Sequence, residues 1–247
     1  MIKTIKTMSK QEKERYTVPR KVQDVIPVRR IWPDGIFLTG NRFSKTYRFS
    51  DINYLVASRE DKESMFLTYS ELLNSLDSGA VTKITINNRR MNQANFETSI
   101  LMPMQGDFRD EYRGEYNQML LDKATGANGI MQEKYITISV VKKDIEEARA
   151  YFSRVGADLI SHFAALGSKC VELDATERLR ILHDFYRQGE ESEFVFNARE
   201  MMKRGHSFKD YICPDGIEKK SDYLKLGGKF CRVLFLKDYA SYIKDNM

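Results

Sequence analysis

Residues 133–141 read EKYITISVV, the most strongly β-prone run of the chain, with β-branched and aromatic residues at six of nine positions. Three residues later the pattern changes period. Ile145, Ala148, Phe152, Val155, Leu159, Phe163 and Leu166 recur at helical spacing behind Asp144, a good amino-terminal cap, and Gly167 ends the stripe. CVEL at 170–173 returns to a strand pattern, and Asp174 is placed to cap a further helix in ATERLRILHDFYR. Upstream, VTKITINNRR at 81–90 alternates Val81, Lys83 and Thr85 against Thr82, Ile84 and Ile86, as a strand with one face more buried does. Residues 107–123 are helical by periodicity, and GANG at 126–129 breaks that helix. The order from 81 to 174 is therefore strand, helix, strand, helix, strand, compatible with a parallel βαβ arrangement or with an α+β sheet. The hairpin-like ends of the chain favour α+β: a mixed or antiparallel sheet with helices packed mainly on one face, flanked by β-hairpins.

Those ends are read in the same way. VIPVRRIW at 25–32 is strand-like, Pro33-Asp34-Gly35 is a turn, and IFLTG and KTYRF continue a meander. Ser58, followed by Glu60, Asp61 and Glu63, starts a helix whose Met65, Phe66, Tyr69, Leu72, Leu73 and Leu76 form the apolar stripe expected to pack on the sheet, with Gly79 as its stop. Towards the carboxyl end come FVF, a short helix near AREMMKR, and YLKLGGKFCRVLFL, where Gly227-Gly228 separates two alternating runs as a two-residue hairpin turn does. The last ten residues, DYASYIKDNM, begin like a helix and stop mid-pattern, which predicts a longer parent chain.

A chain of 247 residues, 42% hydrophobic and 30% charged, is long enough for an ordinary buried core. No apolar run approaches the roughly 20 residues that span a bilayer, and the start, MIKTIKTMSKQEKERY, lacks a secretory apolar stretch, so the expectation is a cytoplasmic protein. The three cysteines, Cys170, Cys213 and Cys231, are odd in number and widely separated, which argues for buried thiols over a disulfide framework. The net charge of +5 is unevenly placed: residues 1–30 hold nine basic residues against three acidic, so the other 217 carry close to −1. The basic character belongs to an arm, residues 1–22, followed by one scaffold domain over 23–247.

Catalytic signatures are absent from the sequence. No GxxxxGK[ST] loop occurs; Gly228-Lys229-Phe230 has the wrong following residue, and Gly167-Ser168-Lys169 has the order reversed. Asp174 is accounted for as a helix cap. His162, His183 and His206 form no close-spaced metal pattern with the cysteines. No catalytic, cofactor-binding or metal-binding residue is therefore assigned. The residues that stand out are cations: Lys10, Lys13, Arg15, Arg20 and Lys21 in the arm, and Arg89 and Arg90 after Asn87-Asn88. Two amides and two guanidiniums just past a strand suit a phosphate or an acidic partner, although polar residues also gather at strand ends for purely structural reasons. The arm suits nucleic acid, anionic lipid or an acidic protein face equally well.

Four longer stretches carry a family likeness: ASREDKESMFLTYSELLNSLDSGAVTKITINNRR from Ala57, YNQMLLDKATGANGIMQEKYITISV from Tyr116, EEARAYFSRVGADLISHFAALGSKCVELDATERLRILHDFYR from Glu146, and FKDYICPD from Phe208. Together they resemble the amino-terminal region of the VirB/TraE/TrbE-type conjugation ATPases of Gram-positive integrative conjugative elements. The resemblance implies a docking and assembly domain of a type IV secretion ATPase that energises DNA and protein transfer. In that family a RecA-like motor follows, where ATP and magnesium would bind; no position here matches its nucleotide site, so this chain is expected to be non-catalytic. The resemblance further implies inner-membrane channel components and the motor as partners, a homo-oligomeric parent, and a peripheral location at the inner face of the cell membrane, with an anionic membrane surface as a contact for the arm. A competing expectation is a nucleic-acid-binding module that contacts transferred DNA through the arm and Arg89-Arg90.

Overall fold

A computed structural model describes residues 19–90, 101–126, 130–203 and 205–238. The chain divides into two compact units, one made of residues 27–212 and the other of 1–26 with 213–247. In the larger unit, β1 (Val28–Ile31), β2 (Phe37–Thr39), β3 (Arg42–Phe49), β4 (Val81–Arg90), β5 (Ile130–Val141) and β6 (Cys170–Glu172) form one six-stranded sheet. The order is β1-β2-β3-β5-β4, with β6 added to β3, and every pairing is antiparallel. The helix-rich sequence between β4 and β6 thus builds an antiparallel α+β sheet, and the parallel βαβ alternative does not apply.

The turns follow from their residues. Trp32 accepts from the Gly35 amide, and Gly35 takes a positive φ of 75° that closes the bend after Pro33-Asp34. β2 and β3 are joined by two residues, with Gly40 at φ 60°, the geometry a tight antiparallel turn needs.

Strand β3 lies at the centre. Its whole length pairs with β5, while its other edge is shared: β2 takes residues 42–44 and β6 takes 47–49. Its side chains alternate, so Phe43, Lys45, Tyr47 and Phe49 share a face with Ile136, Ile138 and Val140 of β5. On that face lie the two longest-packed helices, α2 (Arg59–Asn74) and α4 (Ile145–Ala165). The predicted caps hold: Ser58 Oγ accepts from the Asp61 amide at 3.1 Å and Asp144 Oδ1 from the Glu147 amide at 2.9 Å. Ala148, Phe152, Val155, Leu159 and Phe163 of α4 are buried in the core, with Phe163 stacked on Phe49 at 4.8 Å. A third packed helix, α5 (Ala175–Tyr186), has an Asp174 capping box and covers part of the opposite face, where Ser44 and Tyr135 point. Between α2 and α4 in sequence runs α3 (Asp110–Gly126); residues 127–129 of the expected GANG break lie outside the described residues.

The smaller unit contains a single turn of helix, α1 (Val22–Val25), and a three-stranded antiparallel sheet of Ile217–Lys219, Leu224–Leu226 and Lys229–Cys231. Leu226 pairs with Lys229 across Gly227-Gly228, the expected two-residue turn, and Gly227 has φ 57°. Val233, Leu234, Phe235 and Leu236, read above as part of the second strand, leave the sheet and are exposed. Of the expected final helix over 238–247, residues 239–247 lie outside the described residues. No helix among the described residues is long and apolar enough to cross a membrane.

Candidate docking surface

The polar chemistry of the larger unit is concentrated inside it, around β3. Lys45 is buried and forms an ion pair with Glu172 of β6, beneath α4. The helix comes close enough there only because Gly156 has no side chain: a Cβ would stand 2.7 Å from Glu172 Oε1 and 2.8 Å from the Tyr47 hydroxyl. The Tyr47 phenol donates to the Phe152 carbonyl at 3.3 Å, and burial first, then the Glu172 carboxylate, push its pKa well above the ordinary value. On the other face, Arg178 of α5 donates from Nη1 to the Gly35 and Ser44 carbonyls, each at 2.7 Å, and from Nη2 to Ser44 Oγ at 3.1 Å, while its guanidinium lies 4.0 Å from the centre of the Phe37 ring. Burial lowers its pKa to about 9, which leaves it charged at neutral pH. These groups fasten the point where the edge of β3 passes from β2 to β6, with the Leu173 amide donating to the Thr46 carbonyl at 3.1 Å. They are partnered structural groups; of them only the Glu172 side chain is substantially exposed, at 39%.

Among the sulfur and imidazole groups Cys170, Cys213 and His183 are enclosed, whereas His162 is half-buried and His206 is exposed. Cys170 and Cys213 are buried and Cys231 is partly so; burial, then Glu172, pushes the Cys170 thiol up to about 11, far from the thiolate that nucleophilic attack needs. His183 is buried beside Asp184, with Nδ1 3.7 Å from Oδ1, and its ring lies 5.2 Å from that of Phe194. A cavity of about 50 Å³ bounded by Arg48, Glu133, Tyr135, Glu177 and Asp184 lies nearby, several-fold below the roughly 300 Å³ at which small-molecule sites begin. Among the described residues no group of three or more His, Cys, Asp or Glu side chains is arranged to hold a metal ion.

Binding character appears instead on the outside, at β4. The sheet order ends on this strand, so among the described residues its outer edge has no hydrogen-bonded neighbour. Ile84 stands opposite Ile136 and Ile86 opposite Lys134, on the same face as the core. Ile136 is 1% exposed, however, and Ile84 and Ile86 are 46% and 57% exposed. Val81 and Lys83, on the reverse face, are exposed too. Lys134, next to Ile86, is engaged by Asp51, and Glu133, opposite Asn87, accepts from the Tyr135 hydroxyl at 2.7 Å. Lys83 has no ion pair among the described residues.

Further apolar surface lies on the neighbouring helices. Leu72 of α2 is buried and Met65, Tyr69 and Leu76 pack on the core, yet Phe66, Leu67 and Leu73 are exposed, so the helix offers two apolar sides and the sheet covers one. On α3, Tyr112, Tyr116 and Met119 form an exposed stripe. The start of α3 is held by Arg113, which donates to Asp107 at 2.5 Å and Asp110 at 2.6 Å, and by Asn117, which bridges the Met102 amide and carbonyl at 2.8 and 2.9 Å.

Of the cations singled out in the sequence, Lys10, Lys13 and Arg15 lie outside the described residues. Arg20 and Lys21 are exposed, and the Lys21 amide donates to Asp24 Oδ2 at 3.2 Å. Arg89 and Arg90 do not follow the strand but complete it, paired by backbone register with Met131 and Ile130. The strand edge itself, with Lys83, Ile84 and Ile86, was not singled out. Its only sequence signal is composition, since VTKITINNRR holds three cations and no acid.

No protein-family model matches this chain, and no curated protein sequence matches it.

Proposed function

We propose that this chain is the amino-terminal docking and assembly domain of a conjugative type IV secretion ATPase, without chemistry of its own. The observation that carries this reading is the resemblance spread over four long stretches of sequence between Ala57 and Asp215. An open strand edge with exposed isoleucines supports a binding role, because uncovered apolar surface beside unpaired backbone is suited to a protein partner. On this reading ATP and magnesium belong to the motor of the parent protein. The partners are that motor and inner-membrane channel components, and the basic arm rests at the anionic inner face of the membrane.

Two measurements test it. Magnesium-dependent ATP turnover is assayed for residues 1–247 beside the parent ATPase; the expected result is turnover in the parent only, and turnover by this chain overturns the reading. DNA transfer is then measured in cells whose ATPase lacks this domain; transfer at the normal frequency overturns it as well. Deleting residues 1–22 from the parent is expected to reduce membrane association.

A further inference from the structure

We infer that the outer edge of β4, unpaired among the described residues, takes up an extended, acidic segment of a partner protein as an additional strand of the sheet. The inference rests on the docking reading above and gives its partner a chemistry. A strand edge recognises extended backbone through alternating N–H and C=O groups, and side chains at alternate positions supply the specificity. On β4 those positions differ between the two faces. Thr82, Ile84 and Ile86 line the face that continues the core, while Val81, Lys83 and Thr85 line the reverse. The strand carries Lys83, Arg89 and Arg90 and no acidic residue, and both acid-bearing or cationic neighbours on β5 are engaged, Lys134 by Asp51 and Glu133 by Tyr135. A complementary strand therefore alternates apolar residues, set beside Ile84 and Ile86, with Asp or Glu on the other face.

Two other occupants fit less well. A second copy of β4 would bring three more cations and no acid to balance them, and like charges close together across a strand pair are destabilising. Single-stranded nucleic acid would be drawn by the charge, but β4 offers two isoleucines and no aromatic platform for bases.

The test uses the full chain with three labelled probes: a ten-residue peptide alternating Glu with Val, the same peptide with Lys for Glu, and an oligothymidylate. Binding is followed by fluorescence anisotropy, and its location by amide hydrogen exchange over residues 81–90. The Glu peptide is expected to bind, to slow exchange in β4, and to weaken about tenfold with K83E and again with I84S/I86S, while circular dichroism shows all variants folded. Equal binding of the Glu and Lys peptides, binding without protection of β4, preference for the oligonucleotide, or no binding overturns the inference. If the peptide fails while removal of the domain still abolishes DNA transfer, the strand-addition inference falls and the docking reading stands. If transfer survives removal of the domain, the docking reading falls first.

Discussion

Ile136 and Ile84 face each other across neighbouring strands, on the same side of the same sheet, yet one is enclosed and the other is nearly half exposed. The same contrast separates the middle of the sheet from its β4 edge. Around β3 the chain buries Lys45, Ser44 and Thr46, half-buries Arg178, and gives them ion pairs or hydrogen bonds; around β4 it leaves isoleucines in water. Partnered polar groups inside an otherwise apolar core, and isoleucines left exposed at the edge, depart from the common arrangement in opposite directions. The inner half fixes how three strands meet on one. The outer half pairs with β5 over ten residues and, among the described residues, leaves its other edge and its isoleucines available for binding.

Substitutions separate the two. The largest effect is expected at Arg178: replacing it with alanine removes a half-buried cation and takes the donors from the Gly35 and Ser44 carbonyls and the Ser44 hydroxyl, at about 3–5 kcal/mol in urea unfolding, and R178K, which lacks the planar fork, should recover only part of this. Next, Ile136→Ala should cost about 2–5 kcal/mol and Ile84→Ala within about 0.5 kcal/mol. Equal losses for that pair would mean that β4 is covered and would end the comparison. A smaller cost, about 1–3 kcal/mol, is expected for Gly156→Val, because its side chain meets Glu172 and Tyr47 where α4 approaches the sheet.

The least effect on overall stability is expected from acid at the start of α3. Arg113 holds the Asp107 carboxyl below its ordinary value, and backbone donation from Gln105 with help from Arg113 does the same for Asp110. A carboxyl lowered in the folded state stabilises above the ordinary pKa of 3.8 and loses that stabilisation as the pH falls through the folded value. Amide exchange in residues 107–113 should therefore rise below about pH 4 while the β3–β5 amides stay protected. Loosening of both together would show that the two regions are one cooperative unit.

Much of the inner half is legible in the sequence because local rules act there without conflict. Asp144 and Asp174 cap the helices they precede, the stripe from Ala148 to Phe163 is buried as its spacing requires, and Gly227-Gly228 turns a hairpin. The stripe of α2 is only half right: Phe66 and Leu73 fit its period but are exposed, because a period shows which residues share a side of a helix and not how far the sheet beneath it extends. Strand order was hidden for a related reason. β6 joins β3 more than 120 residues away in sequence, and nothing local encodes that pairing. Arg178 lay in a helix rich in charge, where one cation held by backbone carbonyls looks like its exposed neighbours.

The shared edge of β3 also bears on synthesis of the chain. Tyr47 waits for Glu172, and Ser44 for Arg178, so the first three strands leave the ribosome long before the segment that completes them. At roughly 5–20 residues per second that interval is on the order of ten seconds, during which an apolar meander has one side of its central strand only partly occupied. A nascent chain of this topology spends its most aggregation-prone period before α5 has been made, which makes the tract from Cys170 to Tyr186 the closing clasp of the domain and the point at which translation delivers a finished sheet.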